Sequence, residues 1–378
     1  MSLKQIAQEL GLSLTTVSRA LNGYPEVAQA TRAAVAAAAA RLRYQPDVRA
    51  RGLALGRAGA VGLVFPVTPG DLGDLHFLEM TNALGERFGE QGIDLLIIAA
   101  TAKNELDSYR RAMAGRRVDA FVVARTRVVD ERLELLQAHR KPFVAYGRSG
   151  RFGHPYAWFD FDNVAGAHMA TQRLIDFGHR RLGYLGAPAV YNFAAQRFQG
   201  FGTAMQGAGL AVDAAMVQRV ALDRRSGYAA MQHLIGLPAP PSAVLVDNHL
   251  AGVGAVHAAL QAGLVLGRDL SVIVYDGLGP DSVIHSPITS VAQPTAALVG
   301  SVLAELVLAR IAGQPAESLQ RLRMPVLVAG ESDGPPGGAA PAAAEIVVVP
   351  VERSARAPSA RAKPAGKARS TPRPPAKR

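Results

Sequence analysis

Short apolar runs alternate with amphipathic stretches from residue 59 to about residue 327. Apolar runs typical of strands buried on both faces occur at 61–67, 94–99, 120–124 and 142–146, and again at 181–186, 243–246 and 271–276. Between them, helical spacing of apolar positions predicts helices at 77–91, 165–177, 194–208 and 296–311. This alternation is typical of α/β folds with parallel sheets, and two series predict two doubly wound lobes. Because such sheets bind ligands at the carboxyl ends of their strands, we expect a ligand cleft between the lobes.

Two short amphipathic helices separated by a glycine are predicted in the first 23 residues. Ser2 and Gln5 have the spacing of a capping box, so the first helix is expected to begin at Leu3. Gly11 supplies the turn, and Ser13 is the predicted N-cap of the second helix. Apolar positions at helical spacing can bring the two helices together, with Val17, Ala20 and Leu21 facing Ile6, Ala7 and Leu10.

This arrangement leaves four side chains of the second helix pointing outward, Leu14, Thr15, Ser18 and Arg19. In a helix-turn-helix protein, the second helix lies in the major groove of DNA with its N-terminal residues at base edges. Arg19 can make a bidentate contact to guanine. We therefore interpret Leu14, Thr15 and Arg19 as base-reading residues and Ser18 as a phosphate contact. The alternative is a polar helix face that is merely solvated.

Charge is concentrated at the two ends of the chain. The 378 residues carry a net charge of +11, of which +5 falls within 1–58 and +7 within 345–378, leaving −1 for 59–344. Basic ends suit phosphate contact, with binding that depends strongly on salt. No run of ~20 apolar residues is present, so no membrane span is expected. The N-terminus lacks a signal-peptide pattern, and we expect a cytoplasmic, nucleoid-associated protein.

Enzyme motifs are absent from the sequence. The chain has no cysteine, which excludes disulfides and cysteine-based metal or nucleophile chemistry. It has no Gly-x-Ser-x-Gly elbow, phosphate loop or His-Glu-x-x-His site, and its nine histidines are scattered, with His179 and His249 expected to be structural. We predict no catalytic activity, no cofactor and no metal. The alternative function is a solute-binding or sensor protein, for which residues 1–58 would be superfluous.

The first 60 residues resemble the lactose-repressor (LacI/GalR) family of bacterial transcription regulators. The resemblance rests on Thr-Thr-Val-Ser-Arg-Ala-Leu-Asn-Gly at 15–23, Thr-Arg at 31–32, Arg-Tyr-Gln-Pro at 43–46 and Arg-Gly-Leu-Ala at 51–54. It implies a helix-turn-helix domain over 1–46 and a hinge helix and linker over 47–58. Leu53 then stands where the family inserts a leucine into the minor groove, an apolar wedge that kinks DNA. Alternatively, Leu53 is a linker residue resting on the next domain.

Further DNA contacts are expected at Thr16, Asn22, Tyr44 and Arg49. One departure from the family lies before the third helix, where Val-Ala-Gln-Ala at 27–30 replaces the usual Ser or Thr cap. Loss of an N-cap costs about 1 kcal/mol.

The body over 59–331 is similar to the family's effector-binding and dimerisation core, which itself resembles periplasmic sugar-binding proteins. The similarity rests on Phe-Asp-Asn at 161–163, Gly-His-Arg-Arg-Leu-Gly at 178–183, Arg-Phe-Gln-Gly-Phe at 197–201, 269–276 and Val-Ala-Gln-Pro at 291–294. The resemblance places effector contacts at Arg197, Asn248, Asp276 and Gln293, which offer donors and acceptors for hydroxyl groups. It also places a stacking aromatic at Phe77, with Trp158 as a weaker candidate.

Structural alternatives exist for four of these residues. Asp276 could cap a following helix, Arg197 could pair with an acid across the lobe, and Phe77 could belong to the core. Asp247-Asn248 departs from the family's usual Asn-Asp order, so the match there could shift by one residue.

The expected effector is an uncharged, polyhydroxylated molecule, because no glycine-rich anion cradle follows a strand. A sugar is the natural candidate, and the segments 146–148 and 156–160 resemble members that respond to α-glucosides. We expect a homodimer that places two reading helices on a pseudo-palindromic operator, most family members being repressors. Residues 332–378 are rich in Pro, Ala, Lys and Arg and are expected to be disordered. This tail either adds non-specific DNA affinity or is an inert extension.

Overall fold

The computed structural model describes residues 3–42, 44, 57–66, 74–101, 103–279, 282, 284 and 286–338. The predictions about Ser2, Arg49, Leu53, most of the hinge and residues 339–378 of the tail lie outside these residues. Within the described part of the chain, no helix is both long and apolar enough to cross a membrane.

The expectation that disorder begins at 332 is wrong for 332–338. Ser332 is buried and its hydroxyl accepts a hydrogen bond from the Thr289 amide at 2.9 Å, and Asp333 pairs with Arg173, so this segment packs on the second lobe.

Three N-terminal helices pack around one small core. They are α1 (Leu3–Leu10), α2 (Leu14–Leu21) and α3 (Gln29–Arg41). The core joins Ile6 and Ala7 of α1, Val17 and Ala20 of α2, and Val35 of α3. The predicted contact between the first two helices is therefore confirmed. The expected loss of the third cap is also confirmed, because the residue before α3 makes no side-chain capping hydrogen bond.

Strands and helices alternate from residue 60 onward. The strands are β1 (Ala60–Pro66), β2 (Asp94–Ala100), β3 (Ala120–Val123), β4 (Phe143–Tyr146), β5 (Ala157–Phe161), β6 (Leu182–Gly186), β7 (Val217–Arg219), β8 (Ala243–Val246), β9 (Ser271–Tyr275), β10 (Ser290–Ala292), β11 (Gln320–Arg323) and β12 (Val326–Val328). The helices are α4 (Leu75–Gly89), α5 (Glu105–Ala114), α6 (Glu131–Ala138), α7 (Asn163–Asp176), α8 (Asn192–Gly207), α9 (Arg224–Ile235), α10 (His249–Gln261) and α11 (Ala296–Ile311).

The strands form two six-stranded sheets, one in each lobe. The first has the order β11-β5-β4-β3-β1-β2, and all its pairs are parallel. The second has the order β12-β10-β9-β8-β6-β7, with β12 alone antiparallel to its neighbour. The chain passes between the lobes after β5, after β10 and between β11 and β12. This arrangement confirms the predicted pair of parallel-sheet lobes.

Apolar clusters cover both faces of each sheet, as fully buried parallel strands require. The predicted strands and helices are all present, with ends shifted by at most two residues. The pattern did not single out β5, whose apolar run is interrupted by the buried Asp160. It also did not single out α10, which contains the interior glycine Gly254. A Cβ there would lie 1.8 Å from the carbonyl oxygen of Arg224 on α9, so only glycine permits this close helix packing.

Candidate functional site

Helix α2 presents a short exposed face whose start is fixed by its cap. The Ser13 hydroxyl accepts a hydrogen bond from the Thr16 amide at 3.0 Å, which confirms the predicted N-cap. Leu14, Thr15 and Arg19 are exposed, and 49% of the Leu14 surface is accessible. Among the described residues, none makes a side-chain hydrogen bond or ion pair with Arg19. The outermost face of α2 therefore consists of unengaged side chains.

The other predicted DNA contacts on this unit have structural partners. The Thr16 hydroxyl lies 2.9 Å from that of Ser13, and the Asn22 side chain donates to the Ser18 carbonyl at 2.9 Å. Tyr44 packs partly buried against the core of the three helices. Ser18 is half-buried. These residues shape the unit, and their contacts with DNA stay a prediction.

A cavity of about 400 Å³ lies between the two lobes, at the carboxyl ends of the strands. Its wall includes all five predicted effector residues, Phe77, Arg197, Asn248, Asp276 and Gln293. Phe77 lies on α4 of the first lobe. Arg197, Asn248 and Asp276 lie on or next to elements of the second lobe. Gln293 follows β10, where the chain returns to the first lobe. Side chains from both lobes therefore line the cavity. A volume of this size is within the range of small-molecule sites.

Two stacked rings form the apolar wall. The ring of Phe77 lies 4.3 Å from that of Phe65, at the end of β1. Phe77 also belongs to the core of the first lobe. The residue therefore packs in the core and faces the cavity at the same time. Trp158 does not line the cavity and lies beneath the Arg148 guanidinium, 5.3 Å from its ring centre. The alternative assignment of the stacking aromatic to Trp158 is therefore wrong.

Arg197 of α8 is held in place by uncharged groups. Its Nε donates to the Asn163 side-chain oxygen at 2.8 Å, and a second N–H donates to the Asp247 carbonyl. The guanidinium carbon lies 3.7 Å from the centre of the Tyr275 ring and 4.9 Å from that of Phe193. The expected alternative, an ion pair with an acid across the lobe, is thus not what orients it. Its remaining N–H groups can serve a ligand.

Asp276 and Gln293 offer polar groups without side-chain partners among the described residues. Asp276 follows β9 with a φ of 63°, a left-handed backbone that is unfavourable for most residues. No described helix begins at Asp276, so it is not a helix cap. An unengaged carboxylate on strained backbone at a cavity wall is typical of a binding residue.

Asn248 has a capping role that the family pattern did not indicate. It is the N-cap of α10, accepting from the Ala251 amide at 2.8 Å and donating to the Asp247 carboxylate at 2.9 Å. Asp247 is fully buried, accepts hydrogen bonds from the Ala187 amide and the Tyr184 hydroxyl, and has a pKa that burial raises. Asn248, and not Asp247, lines the cavity.

Additional polar groups around the cavity were not identified from the sequence as contacts. Arg148 and Asp160 form an ion pair at 2.8 Å on one wall. The Tyr146 hydroxyl has a pKa that burial holds well above its usual range, so it stays protonated as a hydrogen-bond donor. Tyr146 and Arg148 fall in the segment 146–148 noted for its resemblance to α-glucoside regulators, which was the available signal.

His249, expected to be structural, also lines the cavity. Its Nε2 forms a hydrogen bond of 3.1 Å with Asp74, the N-cap of α4 in the other lobe. Burial alone would raise the pKa of Asp74, but the hydrogen bond from His249 and the nearby imidazoles hold it below its ordinary value. Asp74 and His249 are 175 residues apart in the chain, and nothing local indicated their contact.

Comparison with known proteins assigns both parts of the chain to one family. Residues 2–47 match the family described as "Bacterial regulatory proteins, lacI family". Residues 58–331 match "Periplasmic binding proteins and sugar binding domain of LacI family". The first match covers the N-terminal residues that a solute-binding protein would not need, which argues against that alternative function.

Individual relatives span almost the same length. The transcriptional regulator RafR of Escherichia coli is 40% identical over 333 residues, covering 88% of this chain and 98% of RafR. A solved structure of the regulator CelR in complex with cellobiose is 28% identical with a TM-score of 0.67, covering 88% and 99% of the two chains. The structure of the lac repressor dimer bound to operator is 22% identical with a TM-score of 0.74, over 88% and 99%, which shows a shared fold.

Family membership settles the general function. The N-terminal unit binds DNA, the bilobed core binds a small-molecule effector, and the family is not enzymatic, as predicted. The chain belongs to the LacI family of bacterial transcriptional regulators.

Proposed function

We propose that this protein is a homodimeric repressor, acting on nucleoid DNA in the cytoplasm, whose operator affinity is controlled by a sugar, specifically an α-glucoside. The main support is that one chain combines two features. Helix α2 exposes side chains that have no partners among the described residues, and a cavity lined by polar groups lies between the two lobes. Each half has chemistry suited to its ligand.

For DNA, Arg19 supplies the specific contact. Its guanidinium is exposed on the helix that follows the turn, where two parallel N–H groups can meet O6 and N7 of guanine. Leu14 and Thr15 lie at the N-terminal end of the same helix, where base edges are reached first. Leu14, with 49% of its surface accessible, is an apolar group suited to a thymine methyl.

For the effector, the cavity combines an aromatic wall with balanced polar groups. Phe77 and Phe65 offer an apolar surface, and Asp276 and Gln293 offer unengaged acceptors and donors. The charges of Arg148 and Asp160 are paired with each other, so this wall does not favour an ionic ligand. An uncharged polyol fits these groups better than a phosphate, and the cellobiose bound to CelR supports a glucoside.

Coupling between effector and DNA requires that the effector bind one arrangement of the lobes better than the other. The effector contacts in this proposal come from both lobes, so its binding favours one relative position of the lobes. The expected coupling is about 1–3 kcal/mol, or roughly 5- to 150-fold in operator affinity.

Dimer formation has a candidate surface at the edge of the first sheet. Ile97 on the edge strand β2 and Leu78 on α4 are 46% and 45% exposed and line one shallow depression. A second copy of the chain that covers them would bring two reading helices to a pseudo-palindromic site. Ile97→Lys is expected to shift the protein toward monomer in analytical ultracentrifugation, whereas an unchanged dimer would exclude this surface.

The DNA proposal is tested by fluorescence anisotropy with a fragment of the protein's own promoter and a random duplex. Arg19→Ala should reduce the ratio of specific to random affinity by about 10-fold or more, since one bidentate base contact contributes roughly 1–3 kcal/mol. The control Arg32→Ala removes the same charge from α3 and should weaken both duplexes alike. Equal affinity of the parent protein for promoter and random DNA would refute the proposal.

The effector proposal is tested by titrating the protein–promoter complex with maltose and isomaltose, and with cellobiose as the β-linked control. Release by the α-linked sugars only is the expected result. Release by sugar phosphates or purines, with no response to any neutral sugar, would refute it. Asp276→Asn should weaken the response to sugar without changing promoter affinity in its absence.

A further inference from the structure

One cluster of metal-binding side chains lies at the cavity wall, outside the groups assigned to the effector. It comprises Asp74 and His76 at the start of α4 and His249 at the start of α10. One ligand atom from each side chain lies within 4.8 Å of the others. Because α4 belongs to the first lobe and α10 to the second, the cluster spans the cleft.

The spacing of the ligand atoms is close to that of a tetrahedral site. Asp74 Oδ1 lies 3.1 Å from His249 Nε2 and 3.9 Å from His76 Nδ1. Zn²⁺ binds nitrogen and carboxylate oxygen at about 2.0–2.2 Å, which places neighbouring tetrahedral ligands roughly 3.3–3.6 Å apart. The two observed distances fall on either side of this range, and the ligand atoms of His76 and His249 lie within 4.8 Å of each other, so an ion requires the side chains to draw closer together.

Local contacts hold the carboxylate in position and leave capacity for an ion. Asp74 Oδ1 accepts the backbone N–H groups of His76 at 3.0 Å and of Phe77 at 3.4 Å, which fixes the side chain as a helix cap. No described residue forms a hydrogen bond with Asp74 Oδ2. The ring centres of His76 and His249 lie 4.4 Å apart, so the two imidazoles are direct neighbours.

Accessibility decreases from His76 to Asp74. The side chains of His76, His249 and Asp74 are 41%, 17% and 10% exposed. An ion can therefore enter past His76 and reach the two more buried ligands. The effector cavity adjoins the cluster, since all three residues line it.

We propose that Asp74, His76 and His249 form a zinc-type divalent metal site that links the two lobes across the cleft. Two imidazoles and one carboxylate are the ligand set of three-coordinate protein sites that keep a fourth position open. Imidazole favours Zn²⁺, Co²⁺ and Ni²⁺, whereas Mg²⁺ and Ca²⁺ prefer oxygen. Such an ion would join α4 to α10 at the wall of the cavity.

A hydrogen bond between the lobes is the simpler explanation, and it makes a different prediction. The contact of Asp74 with His249 needs no metal, and His76 would then add nothing to it. The metal proposal requires all three residues. It does not depend on the identity of the effector or on DNA binding, so it can fail or succeed independently of the proposed function.

The test uses the full chain, treated with a chelator and free of sugar and DNA. Titration with Zn²⁺ by calorimetry is expected to show one ion per chain, and Co²⁺ should give the visible absorption of a tetrahedral complex. His249→Gln keeps a donor able to reach Asp74 and His76→Gln keeps a polar side chain. Each should still weaken Zn²⁺ binding by at least about 100-fold, because loss of a residue that only supports a metal ligand already costs about 10- to 100-fold. His257→Gln, an exposed histidine on α10, is the matched control and should bind like the parent protein.

Asp74→Asn provides a variant that retains the helix cap, because asparagine caps as well as aspartate does. Its own unfolding temperature without metal is the baseline, since the contact with His249 also changes, and relative to that baseline it should lose the stabilisation by Zn²⁺ that the parent protein shows. Absence of saturable Zn²⁺ binding by the parent, or equal binding by His76→Gln and the parent, would overturn the proposal.

Discussion

Helix α3 lacks a side-chain cap, and restoring one should stabilise the DNA-binding unit. Ala28 precedes the helix with φ −53° and ψ 142°, and makes no side-chain capping bond. Ser13 precedes α2 with φ −68° and ψ 150°, and its hydroxyl binds the amide of Thr16 at 3.0 Å. The two backbones are nearly the same, and each is followed three residues later by threonine. In Ala28→Ser, the new hydroxyl can therefore accept the amide of Thr31 without a change of backbone.

The expected gain is about 1 kcal/mol, the usual difference between serine and alanine at an N-cap. Ala28 is exposed, so the added hydroxyl displaces no packed neighbour. The matched control is Ala34→Ser, the same chemical change at an exposed position inside α3. It should destabilise by about 0.5 kcal/mol, because serine is a poorer helix former than alanine.

Hydrogen exchange of the full-length protein measures this change within the helix itself. A gain of 1 kcal/mol should slow exchange of the α3 amides by about fivefold when opening is local. Amides of the second lobe provide an internal reference and should not change. Protection that is unchanged or lower in Ala28→Ser, or similar effects of the two serine variants, would refute the reasoning that the cap is what α3 lacks.

Three other changes test the body of the protein. Asp276→Gly should be more stable in urea unfolding than Asp276→Ala by about 1 kcal/mol, because only glycine tolerates a φ of 63° without strain; equal stabilities would contradict this. Gly254→Ala should lose roughly 3 kcal/mol through overlap with the Arg224 carbonyl, whereas Gly202→Ala, where a Cβ meets nothing within 4 Å, should be neutral or stabilising. Burial lowers the pKa of His179 below 6.5, so the unfolded protein takes up the His179 proton more readily than the folded protein. The free energy of unfolding should therefore fall as pH drops through 6.5. His179→Gln should lose part of this pH dependence, and an identical profile would contradict the argument.

Local features were predictable from sequence because their causes are local. The cap at Ser13, the missing cap at Ala28 and the buried face of α2 each depend on residues within one or two turns. Seven of the twelve described strands were visible as continuous apolar runs. Strand β5 was not visible in this way, because Asp160 interrupts its apolar run. Asp160 is nevertheless buried, where it forms an ion pair with Arg148. Periodicity alone does not register a buried charge whose partner lies elsewhere in the chain.

The predicted effector residues were named from family resemblance, which does not indicate how differently their side chains are held. Arg197 is oriented by Asn163 and the Asp247 carbonyl, and Asn248 is occupied as the cap of α10. These side chains are already ordered before a ligand binds, so little conformational entropy remains to be lost by them. Asp276 and Gln293 have no such partners among the described residues, which leaves their polar groups for the ligand.

Contacts that join the lobes were the least predictable, because they depend on the packing of residues that are distant in sequence. Asp74 is the N-cap of α4, and His249 is the first residue after the N-cap of α10. Only the fold places them 3.1 Å apart across the cleft, with His76 beside them. The proposed effector control requires groups that respond to the relative position of the lobes. Contacts of this kind are what a single sequence indicates least, because they depend on the packing of distant segments.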